Sequence, residues 1–271
     1  MVSNLLETDV ENVLDEAFAG TDDELLVIDP SEETIVTLVE AGVRRDDLPR
    51  ISMLADEQTL KAVMDDFLVA SKAADLVVEE SLSLRILPDD VDNALFVSPS
   101  RVVAIVSAGD RIAALSTTDD SFVSEVYETH REAFEDAGEY GLRTPPISRV
   151  RETLASDIGA DAREDFDAIL ESLDAARGGA NGLDEVTVSL LVAARNDILL
   201  YDISKWGEDI GIASKATFSR TKTRLEDLGV IDTEKVPIDV GRPRLRLKLG
   251  DDRLVGLDAP EFTDVAVDLI E

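Results

Sequence analysis

Between Ser214 and Arg246 the sequence collects side chains suited to gripping a nucleic acid. On a helix advancing about 100° per residue, Phe218, Thr221, Leu225 and Leu228 fall on one side, the side to be buried. Ser219, Arg220 and Thr223 point most directly away. Lys215, Lys222 and Arg224 flank them, and Ser214 and Thr217 supply hydroxyls in the first turn. A guanidinium can bridge guanine O6 and N7, and hydroxyls can take base edges or phosphates. A solvated helix with routine basic residues has the same pattern. Downstream, Arg242 beside Pro243 marks a hairpin tip, where a fixed φ can hold the guanidinium toward a minor groove or the backbone. Arg244, Arg246 and Lys248 then alternate with leucines as the expected exposed stripe of a strand. A charged edge strand that discourages aggregation reads alike.

Three helices and a hairpin must position these residues. Asp184 is an N-cap type ahead of Val188, Leu190, Leu191 and Ala194. A second short helix is expected from Ser204, packing Trp206 and Ile210 and ending at Gly211. Ser214 caps the third, which stops at Gly229, a residue suited to the left-handed C′ position. Val230–Pro237 and Arg244–Leu249 pair as the hairpin, the latter with the period-two alternation of a half-buried strand. The result is a winged helix-turn-helix over 183–250. Residues 201–249 hold ten cations and eight carboxylates, a net +2, within a chain of −33. The remaining 222 residues therefore carry −35.

Ahead of this module, residues 1–145 alternate apolar strands and amphipathic helices, an α/β (α+β) domain. The spacing predicts an opening helix through Leu6, Val10, Val13, Leu14 and Ala17, and further helices around Ile35–Val39, Thr59–Ala73 and Phe122–Asp136. Strands are expected at Leu25–Ile28, Ile51–Leu54, Ser83–Leu87, Ala94–Val97, Val102–Ser107 and Arg111–Ser116. Residues 146–182 read as a helical linker, with a stripe of Phe166, Ile169, Leu170 and Leu173 that could dimerise, broken at Gly178–Gly182. Residues 251–271 form a tail, with a short helix at Pro260–Ile270.

Of 271 residues none is Cys and one is His, which excludes disulfide frameworks, Cys-based zinc or iron–sulfur sites and multi-imidazole metal centres. No cofactor is expected. Neither a signal peptide nor a bilayer-length apolar run is present, so the reading is a cytoplasmic chain without membrane contact. Its 59 acids are dispersed, and Lys (7) is scarce against Arg (19). Such a surface is screened where the Debye length falls to about 3 Å, as in a molar-salt cytoplasm.

The stretches Leu200–Glu208 (LYDISKWGE), Ala213–Lys222 (ASKATFSRTK) and Lys235–Arg244 (KVPIDVGRPR) resemble the TbsP family of haloarchaeal transcriptional regulators, within the wider TrmB-like group. The resemblance implies a homodimer that binds double-stranded promoter DNA, repressing gluconeogenic and other central-carbon genes. It also implies that the third-helix and wing residues make the contacts. The DNA-binding part follows the other domain here, whereas it comes first in TrmB, so no sugar site carries over, though a sugar or sugar-phosphate effector fits the group. The N-terminal domain is also similar to a half-unit of the phospholipase-D-like fold. The His-x-Lys that fold needs for catalysis is absent, because His130 is followed by Arg131 and Glu132, and no enzyme is expected. From a different class, a protein-interaction adaptor that docks through its winged helix satisfies the same residues.

Overall fold

A computed structural model describes residues 3–7, 10–18, 24–45, 48–88, 91, 93–108, 111–175, 183–239 and 243–270. The chain divides into two compact units, Met1–Pro146 and Ile147–Glu271.

In the first unit the parallel strands β2 (Glu24–Ile28), β3 (Arg50–Ala55) and β4 (Leu82–Ile86) are linked through α2 (Glu32–Val43), then α3 (Glu57–Met64) and α4 (Phe67–Val78). Antiparallel strands β5 (Ala94–Ser98), β6 (Arg101–Ala108) and β7 (Arg111–Thr117) extend the sheet from β2, and β1 (Ser3–Glu7) pairs with β7. The order is β1-β7-β6-β5-β2-β3-β4. Side chains alternate along β2. Leu25 and Val27 face a core shared with α1 (Val10–Phe18), α2, α3 and α4, while Leu26 and Ile28 face α5 (Asp120–Asp136) through Val123 and Phe134. Both faces of the central strands are thus covered, which is why they read as unbroken apolar runs.

Two expectations for this unit change. The opening helix begins at Val10, and Leu6 lies in β1, where five residues are too few for periodicity to separate strand from helix. The stretch Thr59–Ala73 is two helices, because the Asp66 carboxylate caps the N–H groups of Leu68 and Val69 and restarts the chain there.

The second unit starts with α6 (Ile147–Thr153), a π-helical turn (Leu154–Ile158) and α7 (Ala160–Ala175). It continues with α8 (Glu185–Arg195), α9 (Leu200–Ile210), α10 (Lys215–Asp227), β8 (Ile231–Val236), β9 (Arg244–Leu249) and α11 (Ala259–Ile270). The helix expected to act as a linker is instead part of this unit. The Phe166, Ile169 and Leu170 stripe of α7 is buried, and α7 packs on α8 and α11, which leaves that stripe unavailable for dimerisation. The Gly178–Gly182 break lies outside the described residues.

Candidate nucleic-acid interface

Helix α8 carries the core of the module, with every residue from Val186 to Ala194 buried and Asp184 capping it through the Thr187 N–H (2.7 Å). Helix α9 begins at Leu200, four residues before the expected Ser204, because Leu199 caps it by backbone alone. It closes at Gly211 in the left-handed region (φ +91°), which turns the chain sharply into α10. At the crossing of the two helices Gly207 lies against the Phe218 ring, which is fully buried. Trp206, also buried, donates from Nε1 to Thr153 Oγ1 at 3.0 Å and so holds α9 to the end of α6.

Helix α10 presents Ser219, Arg220, Thr223 and Arg224 to solvent. Ser214 caps the helix by accepting from the Thr217 N–H, its Oγ lies 3.0 Å from Thr217 Oγ1, and Thr217 in turn accepts from Arg220 Nη2 (3.3 Å). The two first-turn hydroxyls therefore hold the start of the helix and steady the arginine. The expected buried side is right for Phe218 and Leu225, but Leu228 is 42% exposed, since it occupies the C-cap, where the helix ends before the core can cover it.

Several cations are committed within the module. Lys215 pairs with Glu208 (2.8 Å), Lys205 with Asp209 (2.7 Å) and Lys248 with Asp197 (2.8 Å). Hydrogen bonds from the lysines hold the Glu208 and Asp209 carboxyls below the usual carboxylate range. Lys222, expected on an exposed flank, is largely covered and paired with Glu226, which also accepts the Thr233 hydroxyl (2.7 Å) and ties α10 to the wing. The wing cations are corrected too: Arg244, Arg246 and Lys248 are half-buried rather than an exposed stripe. The cause is a third segment on β9. The Leu247 N–H donates to Ile198 O at 2.9 Å and Leu199 bridges Arg246, so β9 is not an edge. Arg244 stacks over the Tyr201 ring (4.2 Å) with Asp202 at 3.5 Å, and Arg246 Nε is buried without a partner. Arg242 lies outside the described residues.

Among the described residues, Arg220, Arg224 and Lys235 are the exposed cations of this region without an ion pair. Lys235 on β8 was absent from the expected contacts; its signal was its place in the basic island. Exposed Tyr201 was missed as well, because its partner Arg244 lies far along the chain. In the first unit, His130 is half-buried and desolvation lowers its pKa. No helix among the described residues is long and apolar enough to cross a membrane.

Residues 2–145 match the family model for the N-terminal part of TbsP-like transcriptional regulators, and residues 146–267 match that for their C-terminal helix-turn-helix domain. No curated protein matches the chain in sequence. Among solved structures, TrmBL2, described as an archaeal chromatin protein with a novel mode of DNA binding, is similar over 51% of this chain at 17% identity and a TM-score of 0.39. That similarity spans 54% of TrmBL2, about half its length. Nuc from Salmonella typhimurium, a phospholipase D family member, is similar over 52% of this chain and 99% of its own, at 11% identity and a TM-score of 0.36. With each unit matched by its own family model and in the same order, the chain belongs to the TbsP-like transcriptional regulators, with its helix-turn-helix domain in the C-terminal half.

Proposed function

We propose that the protein is a sequence-specific DNA-binding repressor acting as a homodimer on promoters of gluconeogenic and central-carbon genes, in the cytoplasm of a salt-rich cell. The observation that carries the DNA reading is the row Ser219, Arg220, Thr223 and Arg224 on α10, exposed and, at both arginines, free of carboxylate partners among the described residues. Arg220 and Arg224 read base edges; Ser219 and Thr223 take bases or phosphates. Ser214 and Thr217 shape the helix start. Lys215, Lys222 and Arg244 act at phosphates only by exchanging or sharing present partners, and Arg246, without an ion pair among the described residues, and Arg242 act there as well. The net charge of −33 supports the salt-rich setting. Repression, target genes, the homodimer and a sugar or sugar-phosphate effector rest on the family resemblance.

The test is fluorescence anisotropy with labelled promoter fragments and a scrambled control in molar KCl. Arg220→Ala should weaken binding to the specific fragment about 5- to 150-fold, as for loss of one bidentate base contact, with an unchanged circular dichroism melt. Equal binding by variant and parent refutes the assignment. One observation favours the second reading, the adaptor: carboxylates of the same unit already neutralise Lys205, Lys215, Lys222, Arg244 and Lys248. Absence of any fragment preference in the folded protein decides for it.

A further inference from the structure

Lys215 opens α10, and Ser219 and Thr223 follow it at four-residue steps, so the lysine stands one turn ahead of the row assigned above to DNA. Like that row, it is exposed. Its partner Glu208 belongs to α9 and reaches it across the turn at Gly211. The two carboxylate oxygens are divided between two donors. Oε2 takes the Lys215 ammonium at 2.8 Å, and Oε1 takes the Lys215 backbone N–H at 3.3 Å.

An ammonium and an N–H at a helix start are the donors that a phosphate finds at the first turn of a helix. Helix α10 has no acidic residue in its own first turn, and Ser214 serves the Thr217 N–H, so the carboxylate on Lys215 is brought from another helix. Both contacts hold the Glu208 carboxyl below the usual carboxylate range, which keeps it an anion at neutral pH. The neighbouring Asp209 is taken by Lys205 (2.7 Å). A duplex laid along Ser219, Arg220 and Thr223 brings its own anions to this turn, where they meet a like charge already in place.

On the DNA reading proposed above, we infer that Glu208 is a built-in competitor of DNA phosphate: its carboxylate occupies the position a phosphate would take, and Lys215 reaches the duplex only by exchanging one anion for the other. Exchange alters what salt does. A free cation that meets a phosphate releases condensed counterions, with a logarithmic slope of about −0.9. A cation that first leaves a carboxylate uncovers a charge that gathers counterions from solution, and the two changes offset. The Lys215 contact thus adds almost nothing to the salt dependence of the parent, and Glu208 weakens attraction to a duplex whatever its sequence.

The test is fluorescence anisotropy on the whole chain with the labelled promoter fragment and its scrambled control, each titrated at several KCl concentrations. Glu208→Gln keeps an oxygen for the Lys215 N–H and removes the charge that holds the ammonium. It should bind both duplexes more tightly than the parent. Its slope of log affinity against log salt should be steeper by about 0.9, so that its advantage grows about 3.5-fold for each fourfold dilution of KCl. Adding Lys215→Gln should return the slope to that of the parent. Circular dichroism melts check that each variant folds. Equal slopes in Glu208→Gln and the parent overturn the exchange. A steep slope that persists in the double variant overturns it too, because removal of the Glu208 charge alone then accounts for the change. A parent that binds neither duplex refutes the DNA reading and the exchange with it, whereas a parent that prefers its fragment while the slopes agree refutes the exchange alone.

Discussion

Where α9 crosses α10 the two helices meet tightly, and the crossing yields a quantitative expectation for Gly207→Ala. A Cβ there would stand 2.4 Å from both Cε2 and Cζ of Phe218, about 1 Å inside ordinary contact. The ring has no exposed surface and cannot swing aside, so the helices must part or the ring must leave its rotamer. Overpacking of this kind costs roughly 1–3 kcal/mol, against about 1 kcal/mol gained by replacing glycine with alanine inside a helix. The net loss is about 0–2 kcal/mol. The sole tryptophan, Trp206, is the neighbouring residue, so its fluorescence during denaturant unfolding reports this unit directly. Phe218→Leu removes the offending ring edge and costs roughly 1–2 kcal/mol alone. In the double variant the clash is gone and the helix gain remains, so the two changes should couple favourably by about 2 kcal/mol. Operator affinity should follow the same order, falling in Gly207→Ala and partly recovering in the pair. Losses that add within about 0.5 kcal/mol would refute the claim that this contact sets the helix crossing.

Two further outcomes follow from the same unit. A Cβ on Gly250 would meet backbone, 2.5 Å from Gly229 O and 2.8 Å from Ile231 O, so Gly250→Ala should cost at least about 2 kcal/mol in Trp206-detected unfolding and weaken DNA binding through a displaced wing. The Glu208 carboxyl is held low first by the Lys215 side-chain hydrogen bond and then by the Lys215 N–H. A carboxylate with a depressed folded pKa adds stability above its unfolded value, and that stability is lost as pH falls through the folded value. The advantage of the parent over Glu208→Gln should therefore be full at neutral pH and narrow progressively as pH falls below the ordinary carboxylate range, about 4.3, measured as the gap between their Trp206 melts. A gap that is the same at neutral and acid pH contradicts the pairing.

The winged module was legible because its punctuation is chemical and local. Ser214 caps α10, Gly211 and Gly229 adopt positive φ where helices stop, and the Arg–Leu alternation of β9 gives the strand. The row Ser219, Arg220 and Thr223 emerges where helical geometry puts it. What the sequence concealed involves partners distant along the chain. Lys248 finds Asp197, Arg244 finds Tyr201 and Asp202, and Ile198 joins β9, so a stripe that alternation assigns to solvent is half-buried. Periodicity assigns a face but cannot say what will cover it. The α7 stripe has the same lesson: an apolar face flanked by breaks is as suited to its own unit as to a second copy, and α11 supplies the cover. In the first unit, the split at Asp66 was written in a capping residue that the apolar spacing of Thr59–Ala73 overrode.

The internal pairing of the module's lysines bears on how the protein finds its target. Non-specific attraction to a duplex comes almost wholly from cations that displace counterions at phosphates, with a logarithmic salt slope of about −0.9 per contact. Five cations already hold carboxylates of their own unit, and Arg220, Arg224 and Lys235 remain exposed and unpaired among the described residues. On the function proposed above, bulk chromosome is then expected to be a poor decoy, with brief encounters and short sliding. Occupancy of a specific site should accordingly follow the amount of protein made rather than the amount of DNA in the cell.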